Sequence, residues 1–193
     1  MCTYNPEKDD TAESTEYPYS KVSILKGSYM KRDLNVRLLV SDDIPSCERI
    51  LHGLPNWFGI EKANEAYIKS LSYLPAYVAV IGHAVVGFIA IKLHNGLSGE
   101  IHVLGVAPNL HRQGVGKALV QKAESDLKKK GVVMLQVKTL GPSRPDEGYN
   151  RTRMFYEALG FLPLEETTSY WGPEQPCLIL VKFLGKFDRD KRR

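Results

Sequence analysis

Apolar residues recur in two periods from Leu34 onward, and the switches between those periods lay out the chain. Leu34 to Val40 alternates as a first strand, and Ser41-Asp42-Asp43 caps a helix reaching about His52. Pro45 falls in its first turn, where a missing amide costs little. Gly53-Leu54-Pro55-Asn56-Trp57-Phe58-Gly59 breaks that helix, and Ala63, Ala66, Tyr67, Leu71 and Leu74 make one face of a second. Tyr77 to Ile81 and Val85 to Leu93 read as a hairpin about Gly82-His83, and Gly99 to Val106 follows as a strand after the turn at Asn95-Gly96. Val115, Ala118, Leu119, Ala123 and Leu127 share a face of a helix that ends at Lys130 and Gly131. Val132 to Lys138 predicts a strand, residues 139 to 148 a loop, and a short helix then runs to Leu159 with Gly160 as its stop. Strands over Phe161 to Leu164 and Pro176 to Leu184 complete the pattern.

This order predicts an α/β (α+β) fold. Three strands joined by short turns before residue 107 make an antiparallel half, which a doubly wound dinucleotide domain would lack. The helix after Val115 then crosses over to a strand parallel to its predecessor, giving a mixed central sheet with a parallel central pair and flanking helices. Residues 31–185 form one domain, residues 1–30 an acidic tail expected to be disordered, and residues 186–193 a basic tail.

Composition narrows the class. With 193 residues, 43% hydrophobic and 25% charged, the chain fits one soluble domain. A net charge of +4 suits a polyanionic ligand but is too diffuse for nucleic acid, and Lys128-Lys129-Lys130 reads as the solvated end of a helix. Ala76 to Ile91 is almost wholly apolar, yet it is shorter than the ~20 residues of a membrane span and is divided by Gly82-His83, so no membrane partner is expected. The 3 cysteines, Cys2, Cys47 and Cys177, suit neither a disulfide framework nor a metal site, and the 5 histidines show no ligand spacing. The cytoplasm is the expected compartment, in the absence of a signal-peptide pattern.

The chemistry concentrates in Val106-Ala107-Pro108-Asn109-Leu110-His111-Arg112-Gln113-Gly114-Val115-Gly116-Lys117, a loop between a strand and a helix. A glycine pair before a helix is often an ordinary turn; it also lets the main chain approach a ligand where the helix's first amides are free donors, which suits a phosphate. Neither familiar phosphate loop fits. A Walker-type loop needs Ser or Thr where Ala118 stands, and a dinucleotide fingerprint needs glycine where Leu119 stands.

The stretch resembles motif A of the GNAT superfamily of acyl-CoA-dependent N-acyltransferases, Gln/Arg-x-x-Gly-x-Gly/Ala after a strand ending in Val-x-Pro. Val106, Pro108, Gly114 and Gly116 match, while His111 takes the Gln/Arg place and Arg112 adjoins it. Arg153-Met154-Phe155-Tyr156-Glu157-Ala158-Leu159-Gly160-Phe161 resembles the second signature, Phe-Tyr-x-x-x-Gly-Phe, though Tyr149 stands where the family has Asn. The resemblance covers roughly Leu34 to Leu184. It implies that acetyl-CoA is the cosubstrate, held by Leu104, Val106, His111, Arg112, Gln113, Gly114, Val115, Gly116 and Lys117.

It also implies an N-acetyltransferase acting by direct attack of a primary amine, on a small-molecule or peptide acceptor. Tyr156 is then the general acid, kept protonated by an ordinary pKa near ~10, and Glu100 the general base. His102, on the same face of its strand, is the alternative base. The backbone oxyanion donor belongs near a strand bulge, for which Gly105 is the candidate. Trp57, Phe58, Tyr170 and Trp171 fall in loops that border the acceptor side, without naming an amine. A catalytically idle acyl-CoA sensor is the competing reading, and assembly as a homodimer is left open.

Overall fold

The structure, a computed structural model, describes residues 33–185, so both expected tails lie outside it. Its strands are β1 (Leu34–Leu38), β2 (Ala76–Ile81), β3 (Ala84–Leu93), β4 (Ser98–Val106), β5 (Met134–Leu140), β6 (Leu162–Thr167) and β7 (Cys177–Phe183). Between them lie α1 (Ile44–His52), α2 (Glu61–Ser70), α3 (Val115–Lys129) and α4 (Glu147–Ala158). One sheet takes the order β1-β2-β3-β4-β5-β7-β6, in which β4 and β5 are parallel and the other neighbours antiparallel.

Each sheet face carries its own core, as a two-sided strand pattern requires. Under α3 and α4 lie Val86, Ile89, Ile101, Leu135, Val137 and Leu180 with Leu119, Tyr156 and Phe161. Under α1 and α2 lie Val78, Phe88, Ala90 and Val103 with Ile50, Leu51 and Leu71. Glu124 interrupts the apolar face of α3, and a 2.6 Å ion pair with Lys182 of β7 satisfies it. Cys47 and Cys177 are free and buried, and burial pushes their thiols up to about 12 and about 11.

Several boundaries differ from the sequence pattern for identifiable reasons. Ser41-Asp42-Asp43 forms a 3₁₀ turn, and the α-helix starts at Ile44. Asp43 accepts from the Val40 amide at 2.9 Å and from Arg37 at 2.7 Å, which holds its carboxyl below the usual range. β6 runs on through Glu165, Glu166 and Thr167 because it is an edge strand exposed on both faces, so no apolar alternation marks it. The bulge on β4 lies at His102 and not at Gly105: Ala90 pairs with Val103 while Ile91 pairs with Ile101. Gly105 instead makes room for a neighbour, since a Cβ there would sit 2.9 Å from Phe88 Cε1.

The close approach of α3 to β3 depends on a second such glycine. A Cβ at Gly87 would lie 3.1 Å from Val115 Cγ1, 3.2 Å from Leu119 Cδ1 and 3.1 Å from the Gly105 carbonyl. Gly87→Ala is therefore expected to destabilise the fold by ~1–3 kcal/mol through overpacking, read as a lowered midpoint in urea unfolding; an unchanged midpoint would show that α3 can ride outward freely.

Candidate active site

β4 and β5 pair only from Ser98↔Met134 to Ile101↔Val137, although β4 continues to Val106 and β5 to Leu140. Beyond those pairs the sheet is held together by β3 on one side and β7 on the other, and a gap opens between the central strands. The Ala107 amide bonds Val86 of β3 at 2.9 Å. Antiparallel alternation then turns the main-chain groups of Val103 and Gly105 toward β3 and those of Leu104 and Val106 toward the gap. On the other wall the Gly141 amide bonds Pro176 at 2.7 Å, which by the same alternation turns the Leu140 carbonyl into the gap. Arg153 takes that carbonyl at 2.9 Å.

At the end of β4 the chain turns through Arg112, at φ 61°, and Gly114, at φ 87°, into α3. Ala118 is the first α3 residue with a bonded amide, to Gly114 at 3.0 Å. Among the described residues the amides of 112 to 117 donate to nothing, so an exposed run of donors faces outward at the positive end of a 15-residue helix. Arg112 and Lys117 are exposed beside it, whereas Val115 is buried in the core. Gly116 lets Phe155 come close, with 3.2 Å from a Cβ position to Phe155 Cζ. His111 folds back along the loop, its Nε2 2.8 Å from the Val106 carbonyl, and Gln113 donates to the Asn109 carbonyl at 2.8 Å. These two side chains brace the loop and leave its amides free.

The two sheet faces beside the gap differ in chemistry. On the α3–α4 face stands Tyr156, 5% exposed, packed edge-on against Phe155 and Phe161 at 5.0 and 5.5 Å. Burial pushes its phenol well above the usual value, so it stays protonated throughout the neutral range. On the α1–α2 face Glu100, 9% exposed, accepts from Lys138 at 2.7 Å, from Gln136 at 2.9 Å and sits 2.8 Å from His94. Desolvation pushes this carboxyl up, but the Lys138, Gln136 and His94 contacts together outweigh it and hold it below the carboxylate range. His102 lies over the same cluster with its ring 5.2 Å from Tyr67 of α2. Desolvation lowers its pKa, with Lys92 and Lys138 acting the same way and Glu100 opposing, so the imidazole is neutral at pH 7.

Trp57 ties these parts together in a way its position in a glycine-rich loop does not announce. Its indole donates to Thr152 of α4 at 3.1 Å, its carbonyl accepts from the Tyr149 hydroxyl at 3.4 Å, and its ring meets His111 at 6.1 Å. Tyr170 lies over Lys138, 4.9 Å from Nζ to the ring centroid. Tyr149 thus braces the α1–α2 loop in place of the Asn of the motif. Arg153 opens the second signature without a role of its own there; the available signal is an arginine one turn before Tyr156 on the buried side of a short helix.

The sheet is thus parted at its central parallel pair, with a loop of unbonded amides at the mouth of the gap. Residues 73–163 match the family model described as acetyltransferase (GNAT) domain. Mycothiol acetyltransferase of Beutenbergia cavernae is 31% identical over 90 residues, 47% of this chain. That match spans only 28% of the relative's length. A GNAT-family protein of Desulfovibrio desulfuricans superposes with a TM-score of 0.70 at 16% identity, over 79% of this chain and 99% of its own. An aminoglycoside 6'-N-acetyltransferase complexed with coenzyme A does so at 0.66 and 16% identity, over 80% of this chain and 99% of its own. Among the described residues no helix is long and apolar enough to cross a membrane.

Because the folded-state pKa of Glu100 is depressed, its contribution to stability is present above the unfolded carboxyl value and is lost as pH falls through the folded one. Glu100→Gln should accordingly lower the unfolding free energy at pH 7, and the difference from wild type should shrink in acid once the native carboxyl is protonated. Parallel urea titrations at both pH values check this; a pH-independent difference would mean that the ion pair with Lys138 is not its source.

Proposed function

We propose that the chain is an acetyl-CoA-dependent N-acetyltransferase that acts on a primary amine by direct transfer. The observation that carries this reading is the placement of a protonated phenol and a neutral imidazole on opposite faces of one parted sheet. A bound acyl thioester supplies an electrophilic carbonyl and a thiol leaving group. The free amides of 112 to 117 suit its diphosphate, with Arg112 and Lys117 adding charge, and the gap-facing main-chain groups of Leu104 and Val106 suit its arm. His111, Gln113, Gly114, Val115 and Gly116 complete the cradle through backbone and bracing contacts. An amide of β4 in the gap can stabilise charge on the carbonyl oxygen, and Tyr156 can give its proton to the departing sulfur.

Of the two groups marked for accepting the amine's proton, the surroundings favour His102. A base must have a free lone pair, and His102 is neutral, whereas Glu100 already accepts from Lys138 and Gln136 and is a weakened base. In this reading Glu100 supports catalysis through its charge, which stabilises the imidazolium that forms beside it. The similarity to a mycothiol acetyltransferase and an aminoglycoside acetyltransferase supports an amine-bearing small molecule as acceptor, and a peptide amine fits the same chemistry. Free buried cysteines support a reducing compartment such as the cytoplasm. A non-catalytic acyl-CoA sensor is favoured by one feature, the commitment of Tyr149 to Trp57 where the motif has Asn.

Incubation with acetyl-CoA and a panel of amines, following released thiol, tests the reading: turnover is expected, and binding of acetyl-CoA without turnover on any amine would favour the sensor. Tyr156→Phe should lower kcat by ~10²-fold or more while acetyl-CoA affinity is retained. His102→Gln should lower kcat by ~10²-fold at pH 7 and abolish an acidic limb lying below about pH 6.5. An unchanged pH profile in that variant would return the role to Glu100 or to water.

A further inference from the structure

Thr139 is a buried polar residue whose chemistry the fold leaves unused. It stands on β5 two residues past Val137, the last residue to pair with β4, and it is 4% exposed. Its Oγ1 is buried with no hydrogen-bond partner, one of only two such side-chain atoms among the described residues. Strand alternation puts it on the face of Leu135 and Val137, and its cross-strand neighbour Leu178 belongs to the same core under α3 and α4. Tyr156 belongs to that core too, and Arg153, one helical turn before it, reaches the carbonyl of Leu140, the very next residue to Thr139. The hydroxyl thus belongs to the strand that walls one side of the gap, two residues past its last pair with β4, in the core over which α4 packs.

An orphan hydroxyl in an apolar wall is unfavourable, and Val, its isostere, would fill the same space with no polar atom to satisfy. The neighbouring residues of β5 follow that apolar pattern; Thr139 does not. We propose that the Thr139 hydroxyl is a ligand of the acyl donor, hydrogen-bonded to a polar group, an amide or carbonyl, of the arm that enters between β4 and β5. This rests on the reading that the gap receives an acyl-CoA. In the free protein the hydroxyl waits without a partner, and in the complex it gains one, so a single atom weakens the empty fold and strengthens the loaded one.

That opposition of signs gives the test. With CoA as the probe, calorimetry on Thr139→Val should show affinity weakened about 5- to 10-fold, the size of one neutral hydrogen bond. The same variant without ligand should melt ~2–5 °C above wild type. Thr139→Ser, which keeps the hydroxyl, should bind as wild type does. Equal CoA affinity in wild type and Thr139→Val would overturn the assignment of Thr139 alone. Absence of CoA binding by the wild-type chain would overturn it together with the acyltransferase reading.

Discussion

The arrangement of the site depends on β4 and β5 ceasing to pair after Ile101 and Val137, because a complete sheet would have neither an entrance nor two accessible faces at its centre. Leaving strand edges unpaired inside a protein is unfavourable, since each main-chain donor and acceptor loses water without gaining a partner. The fold tolerates it because the outer pairings with β3 and β7 keep both strands hydrogen-bonded on their other edges beyond the parting. The bulge at His102 coincides with the last β4–β5 pair, and a bulge adds local bend and twist at the point where the strands must diverge. It also changes which residues share a face: His102 and Val103 both turn toward α1 and α2, so the imidazole joins Glu100 while Leu104 and Val106 remain under α3.

A parted sheet needs clamps, and the side chains that act as clamps are those that look least functional in isolation. Arg153 satisfies the gap-facing carbonyl of Leu140. Among the described residues this cation forms no ion pair with a carboxylate, and it is held by carbonyl and amide oxygens instead. Trp57 connects the α1–α2 loop to α4 and to His111, which in turn holds the carbonyl of Val106. Through these contacts the loop around Gly114, the helix that carries Tyr156 and the α1–α2 loop are one mechanical unit.

Much of this was legible in the chain because the relevant signals are local. The glycine loop, the amphipathic stripe of α3 and the Tyr156 to Phe161 signature each announce themselves within a dozen residues. What escaped were properties that arise only between distant segments. Glycine is the usual marker of a bulge, which points to Gly105, but the glycine there accommodates Phe88 and the bulge sits three residues earlier, at His102. Glu100 read as an available carboxylate because its three partners come from residues 94, 136 and 138. The far half of β6 is polar on both faces, so no periodicity could have found it.

The condition of the two cysteines has a consequence for kinetics. Cys47 and Cys177 are sealed in the interior as thiols, held near 12 and 11 by burial, so within residues 33–185 there is no thiolate at neutral pH to which an acyl group could be handed in passing. A relay through a cysteinyl thioester is closed within this domain. For the transfer proposed above, this leaves direct passage of the acyl group from donor to acceptor within one ternary complex as the route that needs no cysteine of this domain.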